Sequence, residues 1–142
     1  MYRTILVALD GSQREPDVFR TAVSLAQKLG ATLHACRAVT IPVGLPDAVW
    51  SMSMAQLDVA LVEEAERGLT RRLADAEGLA VTKHVRMGQP ADVVCDVAKE
   101  IAAELVVIGS HGYGTLERLL GTTASKIVHR CPANVLVVRS PQ

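Results

Sequence analysis

Aromatic side chains are nearly missing from this chain. Tyr2, Phe19, Trp50 and Tyr113 are all it has, 3% of 142 residues. A platform that stacks successive bases of a nucleic-acid strand is therefore not expected. A charge excess of either sign is missing too: fifteen Lys and Arg balance fifteen Asp and Glu. That balance leaves no electrostatic footprint for nucleic acid or for an anionic membrane surface. No apolar run approaches the roughly 20 residues that cross a bilayer, so membrane insertion is not expected. The opening MYRTILVALDGS holds too short an apolar run for a signal peptide and no small-residue cleavage site, so a cytoplasmic protein is expected. Cysteines are few: Cys36, Cys95 and Cys131, an odd number at wide spacing with no CxxC. Reduced thiols packed in a core are expected rather than a disulfide framework.

What the chain does have is apolar residues, 49% of the total, enough to exclude disorder and to fill one core. A single domain over 1–142 is the expectation. Five stretches read as strands: 3–9, 32–39, 80–86, 105–109 and 134–139. Three of them hold near-continuous apolar runs, the pattern of strands covered on both faces. Helical spacing fills the gaps. Ser12-x-x-Glu15 has the spacing of a capping box, followed by Phe19, Ala22, Val23, Ala26 and Leu29, with Gly30 as a stop. Leu57 to Ala76 mark a longer helix ending at Gly78. Pro90 suits a first helical turn, and Val93, Val94, Val97, Ala98 and Ile101 follow as a buried stripe. A last helix runs from about Thr122 to Cys131, with Ile127 and Val128 inward and Pro132 beyond it. Alternating strands and helices predict a parallel α/β sheet with right-handed crossovers.

In such sheets ligands lie beyond the carboxyl ends of the strands, where the strand order reverses. Three loops therefore matter besides the glycine-rich one: Asp10-Gly11-Ser12, the irregular segment 40–51 with its prolines and glycine, and Met87-Gly88-Gln89. After the strand at 105–109 the chain reads Gly109-Ser110-His111-Gly112-Tyr113-Gly114-Thr115, then TLERLL in part, then Gly121-Thr122-Thr123. Two helix starts face one end of the sheet, each with unpaired N–H groups and a positive dipole end. Glycines let the backbone approach an anion, and Thr115, Thr122, Thr123 and Ser125 add hydroxyls. There is no G-x-x-x-x-G-K-S/T, so this is not a Walker loop, and no third glycine for a dinucleotide fingerprint. No Lys or Arg lies between Gly109 and Glu117. Phosphate charge would fall to backbone amides, helix dipoles and a divalent metal.

Together these segments resemble the universal stress protein family over essentially the whole chain. The resemblance rests on ILVALDGS, LHAC, Gly88-x-Pro90, IGSHG, LLGTTASKIV and the closing CPANVLVVR. It implies a doubly wound, Rossmann-like five-stranded parallel sheet in the order 3-2-1-4-5, with helices on both faces. It also implies ATP as ligand, with Mg2+ or Mn2+ held largely by phosphates and water. The family's ATP-binding members carry G-x2-G-x9-G-(S/T). Here Gly109, Gly112, Gly121 and Thr122 fit, but eight residues, Tyr113 to Leu120, stand where nine are usual. By position, Asp10 resembles the family's aspartate near ribose and phosphates, and Ala8 lines the same pocket. Ala35 resembles the residue whose backbone meets adenine. Gly109, Gly112, Gly121, Thr122 and Thr123 resemble the phosphate and ribose contacts, with Ile108, Ser110 and His111 beside them. A homodimer through the last strand is implied as well, since NVLVVR is apolar and falls at a sheet edge.

Competing readings separate on particular residues. Asp10-Gly11-Ser12 can also be a tight turn with an N-cap. His111 lacks an orienting partner for catalysis, so contact with solvent or ligand is expected. His34 with Cys36, and His129 with Cys131, lack the spacing of a structural zinc site and are expected to pack in the core. Gly109-Ser110-His111-Gly112 is not a hydrolase G-x-S-x-G. The third strand ends Arg86-Met87-Gly88, with no acceptor aspartate for a phosphorelay receiver. The expected function is a stress-response sensor or regulator that binds an adenine nucleotide and passes its state to a protein partner. A slow ATPase and a chaperone-like protein that binds no nucleotide are the alternatives.

Overall fold

Ile5, Leu6 and Val7 are consecutive, and all three are fully buried. Side chains along a strand alternate between faces, so burying three in a row requires cover on both. The chain supplies it. Ile5 and Val7 pack with Phe19 and Leu69 on one side, and Leu6 packs with Val97 and Ile127 on the other. The structure is a computed structural model and describes residues 1–41, 51–76, 78–110 and 121–139. Strands β1 (Thr4–Ala8), β2 (Thr32–Val39), β3 (Val81–Met87), β4 (Leu105–Gly109) and β5 (Asn134–Val138) form one parallel sheet. Its order is β3-β2-β1-β4-β5, the expected doubly wound arrangement. Helices α1 (Glu15–Leu29) and α2 (Met54–Leu73) cover one face, and α3 (Pro90–Glu100) and α4 (Thr122–Arg130) the other. In β4, Leu105 and Val107 join the first core, and Val106 and Ile108 the second.

Local differences from the sequence reading have physical causes. The capping box expected at Ser12–Glu15 does not form. α1 begins at Glu15 with no side-chain cap, because Glu15 turns inward to two arginines. The same spacing does make a capping box at α2, where Ser53 and Gln56 exchange side-chain and backbone bonds of 3.1 and 3.0 Å. On α4, Ile127 is buried as expected, but Val128 is 44% exposed. One residue is about 100° of helix, so Val128 is turned well away from Ile127, which with Ala124 is the buried part of the helix. Of the cysteines only Cys36 is in the core; Cys95 and Cys131 are half-buried. His129 is exposed, and His34 is half-buried against His84 rather than enclosed. Within 40–51, residues 42–50 lie outside the described residues, as does the stretch 111–120.

Candidate functional site

Strand order reverses between β1 and β4. The two strands' carboxyl ends, Ala8-Leu9-Asp10 and Ile108-Gly109, open a cleft of about 460 Å³ there. That lies within the range of small-molecule sites, roughly 300–1,000 Å³. Gly121, Thr122 and Thr123 close it from the start of α4, Pro90 and Val94 from α3, and Ser12, Arg14 and Val18 from the β1–α1 turn and α1. Of the residues named from sequence, Ala8, Asp10, Ile108, Gly109, Gly121, Thr122 and Thr123 come together here.

Four others are placed differently or not described. Ala35 is fully buried in the core beneath α1 and α2. It pairs with Val7 on one side and Lys83 on the other, and its side chain is on the face opposite that of Cys36, away from the cleft. Cys36, Ala38 and Thr40 are the contributions from the second strand and its end. Ser110 holds the site's frame through its backbone: its amide donates to Val138 at 3.1 Å, and its carbonyl accepts from Gly121 at 2.8 Å. His111 and Gly112 lie outside the described residues.

The turn after β1 is held by charge. Glu15 is 5% exposed. One of its oxygens pairs with Arg37 and accepts from the Gly11 amide at 3.0 Å; the other accepts from Arg72 Nε at 3.0 Å. The bond to Glu15 is the main reason that the Arg72 guanidinium holds its proton more tightly than usual. Gly11 has φ +76, a conformation that L side chains resist, and there its amide reaches the carboxylate. Asp10 caps the turn from outside, its Oδ1 accepting from the Ser12 amide at 2.9 Å. Thus Asp10 and Glu15 both line the cleft, but Glu15 is committed to two arginines. Cys36 is no nucleophile: burial pushes its thiol up to about 12.

The α4 end of the cleft differs in chemistry. Gly121 is the N-cap of α4, and among the described residues no side-chain capping bond meets it. The first intrahelical acceptor is the Gly121 carbonyl, bonded by Ser125 at 2.9 Å. The amides of Thr122, Thr123 and Ala124 precede that bond, at the positive end of the dipole. Arg14 lines the cleft as well. Sequence reasoning passed over it because it looked for cations only within the glycine loop. The site therefore pairs an anion-attracting rim with an apolar interior of Ala38, Val94 and Ile127. Among the described residues no group of three or more His, Cys, Asp or Glu could hold a metal ion. A divalent ion would have to be coordinated chiefly by ligand oxygens, with Asp10 the lining carboxylate outside the arginine pairs. A shallower hollow between α2 and β3, lined by Glu63, Glu66, Arg67 and Lys83 among others, is a mixed-charge surface remote from the switch point.

The family model of the universal stress protein family matches residues 1–139, and the chain belongs to that family. It is 28% identical over 148 residues to universal stress protein MJ0531 of Methanocaldococcus jannaschii, spanning 100% of this chain and 85% of that protein. Among solved structures, the universal stress protein UspA from Lactobacillus plantarum has a TM-score of 0.80 at 27% identity, over 97% of this chain and 98% of that one. A universal stress protein solved in complex with cAMP has a TM-score of 0.69 at 24% identity, over 98% and 99%. No helix among the described residues is long and apolar enough to cross a membrane.

Proposed function

We propose that this protein is a cytoplasmic stress-response sensor or regulator that binds ATP, with Mg2+ or Mn2+, in the cleft between β1 and β4. The observation that carries the reading is the start of α4, Gly121-Thr122-Thr123, which lines one cleft with Asp10 and Arg14 at the switch point and has no side-chain cap among the described residues. Phosphates belong against the first turn of α4, where amides, hydroxyls and dipole favour an anion. Asp10, which lines the cleft, accepts from ribose hydroxyls in this proposal. The base belongs among Ala38, Val94 and Ile127. Ile108 and Gly109 form the floor, and Ser110, His111 and Gly112 join the site through the family's motif. Bound Mg2+ supplies charge neutralisation between phosphates. The family member bound to cAMP supports an adenine nucleotide as the ligand class.

The reading is of binding, not turnover. Glu15 is the buried carboxylate at the cleft, and its oxygens are occupied by Arg37 and Arg72. Binding to the folded state stabilises it, by about 2.7 kcal/mol at a hundred times Kd, and so can bias how a protein partner is recognised. A homodimer through β5 is part of the proposal. Among the described residues β5 pairs with β4 only, and Leu136 on it is 36% exposed. An apolar edge of this kind is protected by pairing with its own copy. The test begins with denaturing purified protein and identifying any released ligand by mass spectrometry. Emptied protein is then titrated with ATP by calorimetry, with sedimentation for the assembly state. Binding below millimolar ATP is expected. No heat and no thermal shift at millimolar ATP would overturn the reading.

A further inference from the structure

Cys95 on α3 and Cys131 just past α4 are 36 positions apart in the chain, yet their Sγ atoms lie 2.8 Å apart. Both carry free thiols and both are half-buried, within reach of a small solute. A covalent S–S bond is about 2.05 Å, so the sulfurs need to close by only about 0.8 Å. Core packing does not account for the pair. Cys36 is the cysteine buried in the core, and Cys131 packs against its margin, but Cys95 belongs to neither core cluster, so packing does not require the two sulfurs to meet. Metal binding does not account for it either, since no third ligand joins the two sulfurs among the described residues. Neither sulfur lines the cleft at the switch point, but each is close in sequence to a residue that does: Val94 is next to Cys95, and Ile127 is one turn before Cys131.

We propose that Cys95 and Cys131 form a two-electron redox site, switching reversibly between a dithiol and an intrachain disulfide, with a peroxide as oxidant. Cys95 is the attacking sulfur. Cys131 keeps its proton, because burial and the hydrogen bond with Cys95 hold its thiol above the ordinary range. The Cys95 thiolate attacks one oxygen of hydrogen peroxide; the O–O bond breaks, hydroxide leaves and takes up the proton that Cys95 gave up on ionising to make the first water, and Cys95 becomes a sulfenic acid. Cys131 then attacks that sulfur. The S–S bond forms as the S–O bond breaks, and the Cys131 proton leaves with the hydroxyl as water. Two thiols have lost two electrons and two protons, and the peroxide has become two waters. The product fastens α3 to the end of α4, a constraint between helices that no intrahelical bond supplies.

The experiment uses the reduced full-length protein and hydrogen peroxide in modest excess, followed by alkylation and peptide mass spectrometry. The expected product is the Cys95 peptide linked to the Cys131 peptide, two hydrogens lighter than the pair. Dithiothreitol should restore both thiols, and Cys36 should alkylate only after denaturation. Cys95→Ser and Cys131→Ser, each confirmed folded by circular dichroism, should each abolish the link. In the wild type, slower amide exchange across α4 after oxidation reports the new constraint. The proposal is overturned if both thiols stay alkylatable in folded protein while free glutathione in the same tube is oxidised. It is equally overturned if the link runs to Cys36 or between chains, or if Cys95 passes to sulfinic acid without linking.

Discussion

The backbone amide of Gly121 donates to the carbonyl of Ser110 at 2.8 Å. That bond joins the end of β4 to the start of α4, and Ser110 is fixed in turn by its amide's bond to Val138. Residues 111–120 lie between these two anchored ends. The length of the glycine loop therefore enters as a loop-closure term, which grows only with the logarithm of length. One more residue changes it by about 0.1 kcal/mol. Inserting a serine after Gly114, which restores the family's usual spacing, is expected to leave the calorimetric Kd for ATP within about threefold. A change beyond roughly tenfold would mean that particular contacts, not closure, depend on the count.

Gly109 is a packing constraint as well as a lining residue. A Cβ added there would sit 3.3 Å from Val18 Cγ2. Gly109→Ala should cost about 1 kcal/mol, and Gly109→Val, which overpacks α1 against β4, about 2–3 kcal/mol. Urea unfolding measures both. If the cleft is the nucleotide site, the Ala variant also weakens ATP, because Val18 is displaced towards the space that both residues line.

Arg14 lines the same cleft as the start of α4. A guanidinium there should recognise phosphate and not the base. Arg14→Ala is expected to weaken ATP about tenfold, the worth of one charge-assisted bond at a partly solvated site. Adenosine affinity should not change. Equal losses for both ligands in paired calorimetric titrations would show that Arg14 shapes the turn and does not meet phosphate.

Glu15 is a structural charge with two dependants. Removing its carboxylate leaves Arg37 and Arg72 without their shared partner. Breaking a buried pair from one side is strongly destabilising. Glu15→Ala should therefore lower the free energy of unfolding by about 3 kcal/mol. Arg72→Met should cost less, roughly 1 kcal/mol, since Arg72 is partly exposed and Arg37 remains on the carboxylate. Chemical denaturation of the three proteins tests that order.

This hub marks where sequence reading ended. Ser12-x-x-Glu15 and Ser53-x-x-Gln56 share one spacing, and only the second makes a capping box. The difference is set by Arg37 and Arg72, 22 and 57 positions from Glu15, which local pattern cannot connect to it. The same distance hid the pairing of Cys95 with Cys131. By contrast, the runs in β1 and β4 showed in sequence because burial on both faces leaves no room for a polar residue. The lining residues Asp10, Gly109, Gly121, Thr122 and Thr123 showed because they follow strand ends or open a helix. Ala35, by contrast, is mid-strand on the face that α1 and α2 cover, so its side chain is in the core and not in the cleft.

His34 and His84 share a face of adjacent strands, with Nδ1 and Nε2 2.9 Å apart and the rings stacked at 5.2 Å between centroids. A bond between two ring nitrogens needs one acceptor, so at least one imidazole must be neutral. Burial lowers the pKa of His34; it does the same for His84, where a charge on His34 and the nearby Arg86 add to the effect and Glu100 opposes it. Both rings therefore titrate below their ordinary value, near 6.5, in the folded protein. In the unfolded chain they take up protons near 6.5. Below that pH the unfolded state binds more protons than the folded one, so stability rises with pH through this window. The contribution is complete above about 6.5 and is lost as pH falls through the lowered folded values. The urea midpoint should accordingly drop between neutral and mildly acidic buffer, and His84→Gln should shrink that drop, because an amide hydrogen-bonds His34 without titrating. An acid drop of unchanged size in His84→Gln would assign the sensitivity to other groups.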